Sequence, residues 1–546
     1  MDNKKNKIRQ SCKLKGKKSY SDNLDELGEE ELFDGLLGYG LFAEKIPPFL
    51  SSEKFLSFCK SPPPKFTFST AQKKYIHYES MRNINIPRVL AIPNPIAYRN
   101  QCFILSNNWS KLQKYFKEKT KNRKHKISRI HVRKIDNTSR IFKTCHQEMD
   151  DINLNDCPNL LSKHIFEMNY KNFITDDNPE PDLLIDKNYI VKADISSCFP
   201  SIYSHSIPWS LVGKTEAKKN KKDTEWYNKI DVKTRNLKDA ETNGILIGPH
   251  SSNLISEIVL VAVDEVLSKK YSYIRNIDDY TCYVKTHKET EQFLVDLSQE
   301  LGKYNLLLNH KKTEILKLPI ASTKHWIRKI NAFVFPSDKG NLKLNEVRAF
   351  LDIALDLMSE NKTNSAILNY AIKVLSNKKM AENAKNYFVK TIHHLVLIYP
   401  YLIPLLEENV FDAFSVDAAD IEKIANNIFA IGKDKKLYEA MSYALYFGLK
   451  YDFKLIDNLY EIIEKNRDTV LMTLAYLHDK KFSGSSTEKQ YETLAESLID
   501  DIDEYWIFVY EVLAKESLKE EWKTMKNEGV SFIKDGFIEK PNPHKK

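Results

Sequence analysis

The sequence predicts an α+β domain followed by an all-α domain of helical repeats. Three observations carry that reading. Between residues 66 and 335, buried-strand patterns alternate with amphipathic helical ones. After about residue 340, strand patterns give way to one helical stretch after another. Glycine is scarce, at 15 of 546 residues, which disfavours folds built on many glycine turns and suits a helix-rich chain. We divide the chain into a basic lead-in over 1–65, a mixed domain over 66–335 and a helical domain over 336–546.

Taken in order, the lead-in starts polar and charged, then mixes apolar and proline-rich pieces such as Pro62-Pro63-Pro64. Tyr189 to Ile195 is predicted as a buried strand ending in an acid, Asp194. Leu254 to Lys269 has apolar residues at helical spacing. Tyr271 to Val284 reads as strand, acidic turn and strand. Thr290 to Lys303 is a second amphipathic helix, and Leu306 to Asn309 a short strand. Strand, helix, hairpin, helix, strand is the order of a small sheet backed by helices. Beyond it, Val347, Phe350, Leu351, Ala354 and Met358 mark one amphipathic helix, and Ile367, Tyr370, Ala371, Val374 and Leu375 the next. No repeat period is visible; a solenoid of helical hairpins, HEAT-like, is the expectation, with an irregular bundle as the alternative.

Composition narrows the function. At 42% hydrophobic and 11% aromatic the chain is expected to be folded and soluble. Its seven cysteines contain no CxxC pair, which argues against a zinc ribbon or dithiol redox site. No run reaches the roughly 18 apolar residues of a membrane span, so a cytoplasmic, reduced protein without membrane partners is expected. The net charge of +9 is modest, but lysines cluster at 4–18, 111–126 and 218–222, as either solvated surface or phosphate contacts.

The chemistry is carried by acids. Asp194 ends an apolar strand, and Asp278 and Asp279 lie between two strand-like runs. An isolated pair of aspartates is ordinarily a solvated turn. Beside a third acid at a strand end, such a pair can hold two Mg²⁺ ions for an in-line displacement at a triphosphate.

Four stretches in this order resemble reverse transcriptases: Asp194 to Phe199, Asn243 to Asn253, Arg275 to Tyr280, and Leu308 to Thr313, with Ile86 to Pro93 resembling the finger region. Ile202 to Trp209 and Gly213-Lys214 look like the prokaryotic defence-associated, abortive-infection (AbiK-like) group. The resemblance implies reverse-transcriptase fingers and palm and an RNA-directed DNA polymerase using Mg²⁺, with Mn²⁺ as the alternative. It assigns the metal to Asp194, Asp278, the Ile195 carbonyl and, with less direct contact, Asp279. It makes Phe199 the steric gate against a ribose 2′-OH, and Gly244 the point of close backbone approach to nucleotide or template. Lys312 would donate a proton to pyrophosphate, and Arg88 would touch the triphosphate. Asn276 stands where the family has tyrosine, and Asn243 and Gly248-Pro249 depart from the usual second motif, which bears on how template and primer are gripped.

The group further implies anti-phage defence, untemplated or unusually templated synthesis, a protein primer, a ring-like homo-oligomer such as a hexamer, and bound noncoding RNA. Partners would be dNTPs and the DNA product. Tyr20 and Tyr39 are candidate primers only through their N-terminal position. Two other readings stand beside this one: a retron or group II intron-type enzyme copying a cognate RNA, and a scaffold that binds nucleic acid with its acids dispensable.

Overall fold

A computed structural model describes residues 24–83, 86–120, 180–337, 340–361, 364–456 and 458–538. The chain divides into two compact units. The first comprises residues up to Leu41, Cys59–Tyr75 and Pro93–Ile320; the second comprises Phe42–Phe58, Ile76–Ile92 and Ala321 onward.

The first unit is built around a four-stranded antiparallel sheet in the order β4-β5-β3-β6. Its strands are β3 (Tyr189–Asp194), β4 (Ser272–Asn276), β5 (Asp279–Val284) and β6 (Glu314–Lys317). The longer helices of this unit are α1 (Glu29–Tyr39), α2 (Pro95–Asn107), α3 (Trp109–Thr120), α4 (Ser206–Val212), α5 (Trp226–Arg235), α6 (His250–Leu267) and α7 (His287–Gly302). α6 is buried along most of its length, as a helix apolar nearly all round must be. It begins four residues before its apolar pattern, because Pro249 stands at its N-cap and the polar turn that follows carries no periodicity. α7 starts at a capping box, with Glu289 N–H bonded to Thr286 Oγ1 and the Glu289 carboxylate returning to Thr286 N–H.

Glycine is required where α1 ends. Gly40 lies so close to α6 that a Cβ there would fall 2.7 Å from the His250 Cβ. The Tyr98 hydroxyl donates to the carbonyls of Leu36 at 3.0 Å and Gly40 at 2.8 Å, tying α2 to the end of α1.

One expected strand is absent as such. Leu306 to Asn309 makes a single bridge, Leu308 with Ile195, and the fourth strand is β6, five residues further on. Ser197 has a φ of +47° and the chain then turns into a short helix, so β3 cannot extend the ladder.

The second unit is helical apart from β1 (Tyr75–Ser80) and β2 (Arg88–Pro93), which pair as a two-stranded sheet. Its helices after residue 320 are α8 (His325–Asn331), α9 (Leu344–Glu360), α10 (Ala366–Ser376), α11 (Glu382–Ile398), α12 (Ala418–Lys435), α13 (Tyr438–Tyr451), α14 (Leu459–Ile463), α15 (Thr469–Phe482), α16 (Ser485–Ser497), α17 (Ile502–Val512) and α18 (Glu520–Asn527). α13 packs between α12 and α15, and α15 between α13 and α17. Glu439, buried on α13, accepts hydrogen bonds from Met81 N–H and Ser80 Oγ and so fixes the end of β1. No helix among the described residues is long and apolar enough to cross a membrane.

Candidate active site

The three aspartates meet at one end of the sheet. β3 and β5 run antiparallel with Ala193 opposite Tyr280 and Asp194 opposite Asp279. β4 and β5 are joined by the two-residue turn Ile277-Asp278, since Asn276 pairs with Asp279. Ile195 N–H donates to the Asp278 carbonyl at 3.2 Å, which ties the turn to the end of β3. Among the described residues no backbone N–H donates to the Ile195 carbonyl.

Ile277 occupies the left-handed region at φ +56°, where a β-branched residue is strained. The strain has a visible support: Arg275 Nη1 donates to the Ile277 carbonyl at 2.8 Å.

Asp194 is buried, and both carboxylate oxygens are engaged. Asn309 Nδ2 donates to Oδ1 and Lys312 Nζ to Oδ2, each at 2.9 Å. Asn309 N–H also donates to the Asp194 carbonyl at 2.8 Å. The fourth motif is thus clipped to the first by side chain and backbone. Partial burial, the neighbouring Asp278 charge and a hydrogen bond with Asp194 raise the Asp279 carboxyl to about 6, against the opposing pull of Lys312. The hydrogen bond to Asp194 holds the Lys312 ammonium above its ordinary value.

Whether these residues suit a cation can be judged from the donor set. Two acids face each other, a third adjoins, and one is driven toward protonation by burial and then by the other two. A cation relieves that repulsion, and Lys312 supplies one. As the side chains stand, no three acidic, imidazole or thiol groups among the described residues form a ligand set. The donor chemistry fits a divalent ion, which would share Asp194 Oδ2 or compete for it with Lys312.

The second motif is joined to the segment after Asp194. Gly244 N–H donates to the Ile202 carbonyl at 3.0 Å, Ile245 N–H to the Phe199 carbonyl at 2.9 Å, and Tyr203 bridges Asn243. Gly244 has a φ of +83°, and a Cβ there would lie 2.7 Å from the Pro200 carbonyl oxygen. The close approach it permits in this structure is to the chain's own backbone, beside half-buried Phe199. Arg88, at the start of β2, belongs to the other unit.

The lysine clusters differ. On α3, Lys117 pairs with Asp25, Lys119 with Glu265 and Lys114 with Glu118, which leaves less charge for phosphate. Lys218, Lys219, Lys221 and Lys222 are exposed. Lysines 4–18, the basic residues at 121–126 and Tyr20 lie outside the described residues; Tyr39 is half-buried at the end of α1.

The residues that sequence reasoning passed over lie beneath the hairpin. Arg275, Glu257 and Asp264 are all fully buried, and Arg275 is ion-paired to both acids. The available signal was two acids seven residues apart, Glu257 and Asp264, flanking the apolar run of α6.

Residues 121–340 match the family model described as reverse transcriptase (RNA-dependent DNA polymerase). The chain carries a reverse-transcriptase domain. By that domain it is an RNA-directed DNA polymerase, and the three aspartates, Phe199, Gly244 and Lys312 all fall within the matched segment of the reverse-transcriptase domain. No curated protein matches the chain. Among solved structures it is similar to apo telomerase from Candida tropicalis at 14% identity, covering 70% of this chain and 69% of that one, with a TM-score of 0.29. A C-terminally truncated form of that telomerase matches at 15% identity over 48% and 52%, TM-score 0.23. Its complex with a TWJ fragment of telomeric RNA matches at 14% identity over 78% and 67%, TM-score 0.24. TM-scores this low do not establish a shared overall fold.

Proposed function

We propose that this chain synthesises DNA from dNTPs at Asp194, Asp278 and Asp279 with two Mg²⁺ ions, Mn²⁺ being the alternative, and that it acts in anti-phage defence of the abortive-infection, AbiK-like kind. The observation that carries the catalytic part is the placement of Asp194 directly opposite Asp279, with Asp278 in the adjoining turn. The chemistry such ions supply when bound is neutralisation of the triphosphate and activation of the attacking hydroxyl. The chain's own contribution is to hold the three carboxylates, with the Ile195 carbonyl as a further oxygen donor, at one sheet end. Lys312, which hydrogen-bonds Asp194, would give a proton to the leaving pyrophosphate. Phe199 would act as the gate against a ribose 2′-OH, with Gly244 holding the second-motif loop against it. Arg88 is proposed as a triphosphate contact on the resemblance of its strand alone.

The defence role, a protein primer, bound noncoding RNA, a ring-like homo-oligomer and a HEAT-like helical array rest on the resemblance of Ile202 to Trp209 and Gly213-Lys214 to that group. The departures at Asn276 and Asn243 support unusual or absent templating. Sequencing the nucleic acid that copurifies, with and without protease, tests this. Untemplated DNA released by protease is expected; a faithful copy of one cognate RNA would favour a retron or group II intron-type enzyme.

A further inference from the structure

Under the catalytic hairpin lies a group of charged side chains for which the polymerase reading has no role. Arg275 on β4 is fully buried, and so are Glu257 and Asp264 on α6. Arg275 Nε and Nη2 donate to Asp264 Oδ2 at 2.9 and 2.7 Å. Nη1 and Nη2 reach Glu257 Oε2, each at 3.1 Å. Tyr273 OH donates to Asp264 Oδ1 at 2.8 Å. Burial works against the guanidinium charge, yet Asp264 and Glu257 outweigh it and hold Arg275 above its ordinary value.

A buried ion cluster of this kind adds little stability over well-packed apolar residues. What apolar residues could not do is hold a carbonyl. Arg275 Nη1 holds that of Ile277 at 2.8 Å, and Ile277 is the strained residue of the turn. The next carbonyl, of Asp278, accepts from Ile195 N–H at 3.2 Å. A continuous set of contacts therefore runs from α6 through Arg275, Ile277 and Asp278 to the strand end that carries Asp194.

We propose that Arg275, clamped by Glu257 and Asp264, is a positioning residue that sets the left-handed turn at Ile277 and thereby aims Asp278 and Asp279 at Asp194. Its catalytic consequence rests on the polymerase reading; its geometry does not. Arg275→Lys keeps a positive charge for the two acids but has one nitrogen where three are in use. Ile277→Gly removes the steric cost of the left-handed turn, so it should restore the turn when the clamp is lost.

The experiment follows two readouts in wild type, Arg275→Lys and Arg275→Lys/Ile277→Gly. The first is hydrogen exchange at the Ile195 amide and across 277–279. The second is kcat and KM for dNTP incorporation. Arg275→Lys should speed exchange at Ile195 at least about tenfold. It should lower kcat about 10- to 100-fold with KM within about twofold, as expected for misplacement of catalytic groups. Adding Ile277→Gly should recover most of both losses. Unchanged exchange in folded Arg275→Lys, or a loss that Ile277→Gly does not recover, would overturn the inference. Where Arg275→Lys does not fold, Asp264→Asn in the same scheme decides it. A wild-type protein that makes no DNA would defeat the polymerase reading, while the exchange measurements still judge the turn.

Discussion

Asp194 and Asp279 stand opposite each other as Cα partners across the antiparallel pairing of β3 and β5. Their shared charge, with that of Asp278, is part of why the Asp279 carboxyl is raised to about 6. A group with a raised folded value holds its proton over a window where the unfolded chain, near about 3.9, has already lost it. Protons then compete with the proposed metal. Affinity for Mg²⁺, measured calorimetrically, should be flat above about pH 7 and weaken by up to about tenfold per pH unit below about 6. A pH-independent affinity would contradict this.

Lys312 supplies counter-charge to Asp194 at 2.9 Å, although its own side chain is 65% exposed. Lys312→Met should tighten binding of Mn²⁺ in the absence of nucleotide, at about pH 8, by about 3- to 10-fold, a modest gain because the pair is solvent-screened. It should also lower kcat, since the proposed proton donor is gone. Weaker Mn²⁺ binding in this variant would show that Lys312 helps the site rather than occupying it.

At Gly244 both φ and space exclude a side chain. Gly244→Ala should cost about 1–3 kcal/mol of stability, the price of a forced backbone outlier, and displace the loop bonded to Phe199. Chemical denaturation reads the first effect. A variant as stable as wild type would mean that the loop has another conformation of equal energy.

Glu439 offers a pH test in the helical unit. Burial raises its carboxyl to about 7, against the Met81 N–H hydrogen bond and the Lys45 charge. The folded value is the higher one, so the stabilising proton is fully present below about pH 4 and lost as pH rises through about 7. The melting temperature should fall between about pH 5 and about pH 8, and Glu439→Gln should flatten that fall. An unchanged slope would assign the dependence to other groups.

Much of the acidic end of the sheet was legible because its signals are local. The apolar run Tyr189 to Ala193 and the alternation on either side of Asp278-Asp279 placed β3, β4 and β5 almost to the residue. Helices at Leu344–Glu360 and Ala366–Ser376 followed from their apolar spacing. What escaped was set by tertiary contact. β6 has only one residue that is not exposed, so its sequence lacks a buried-strand pattern. Leu306 to Asn309 looked like a strand but had only Ile195 to pair with. Arg275 read as one more residue of a motif, because its partners lie 11 and 18 positions away on a helix whose charged face is hidden. Gly244 was expected to allow close approach of nucleotide or template; the neighbour it meets within the chain, the Pro200 carbonyl, depends on a turn that begins at left-handed Ser197.

Three aspartates at one sheet end are proposed to make this chain a DNA polymerase. Incorporation of labelled dNTPs by purified protein, compared among wild type, Asp194→Asn and Asp278→Asn, tests it most directly. The account predicts synthesis by wild type and a loss of at least about 10³-fold in each variant with folding intact, as for removal of groups that hold the reacting centre. Synthesis at wild-type rate in both variants would contradict it.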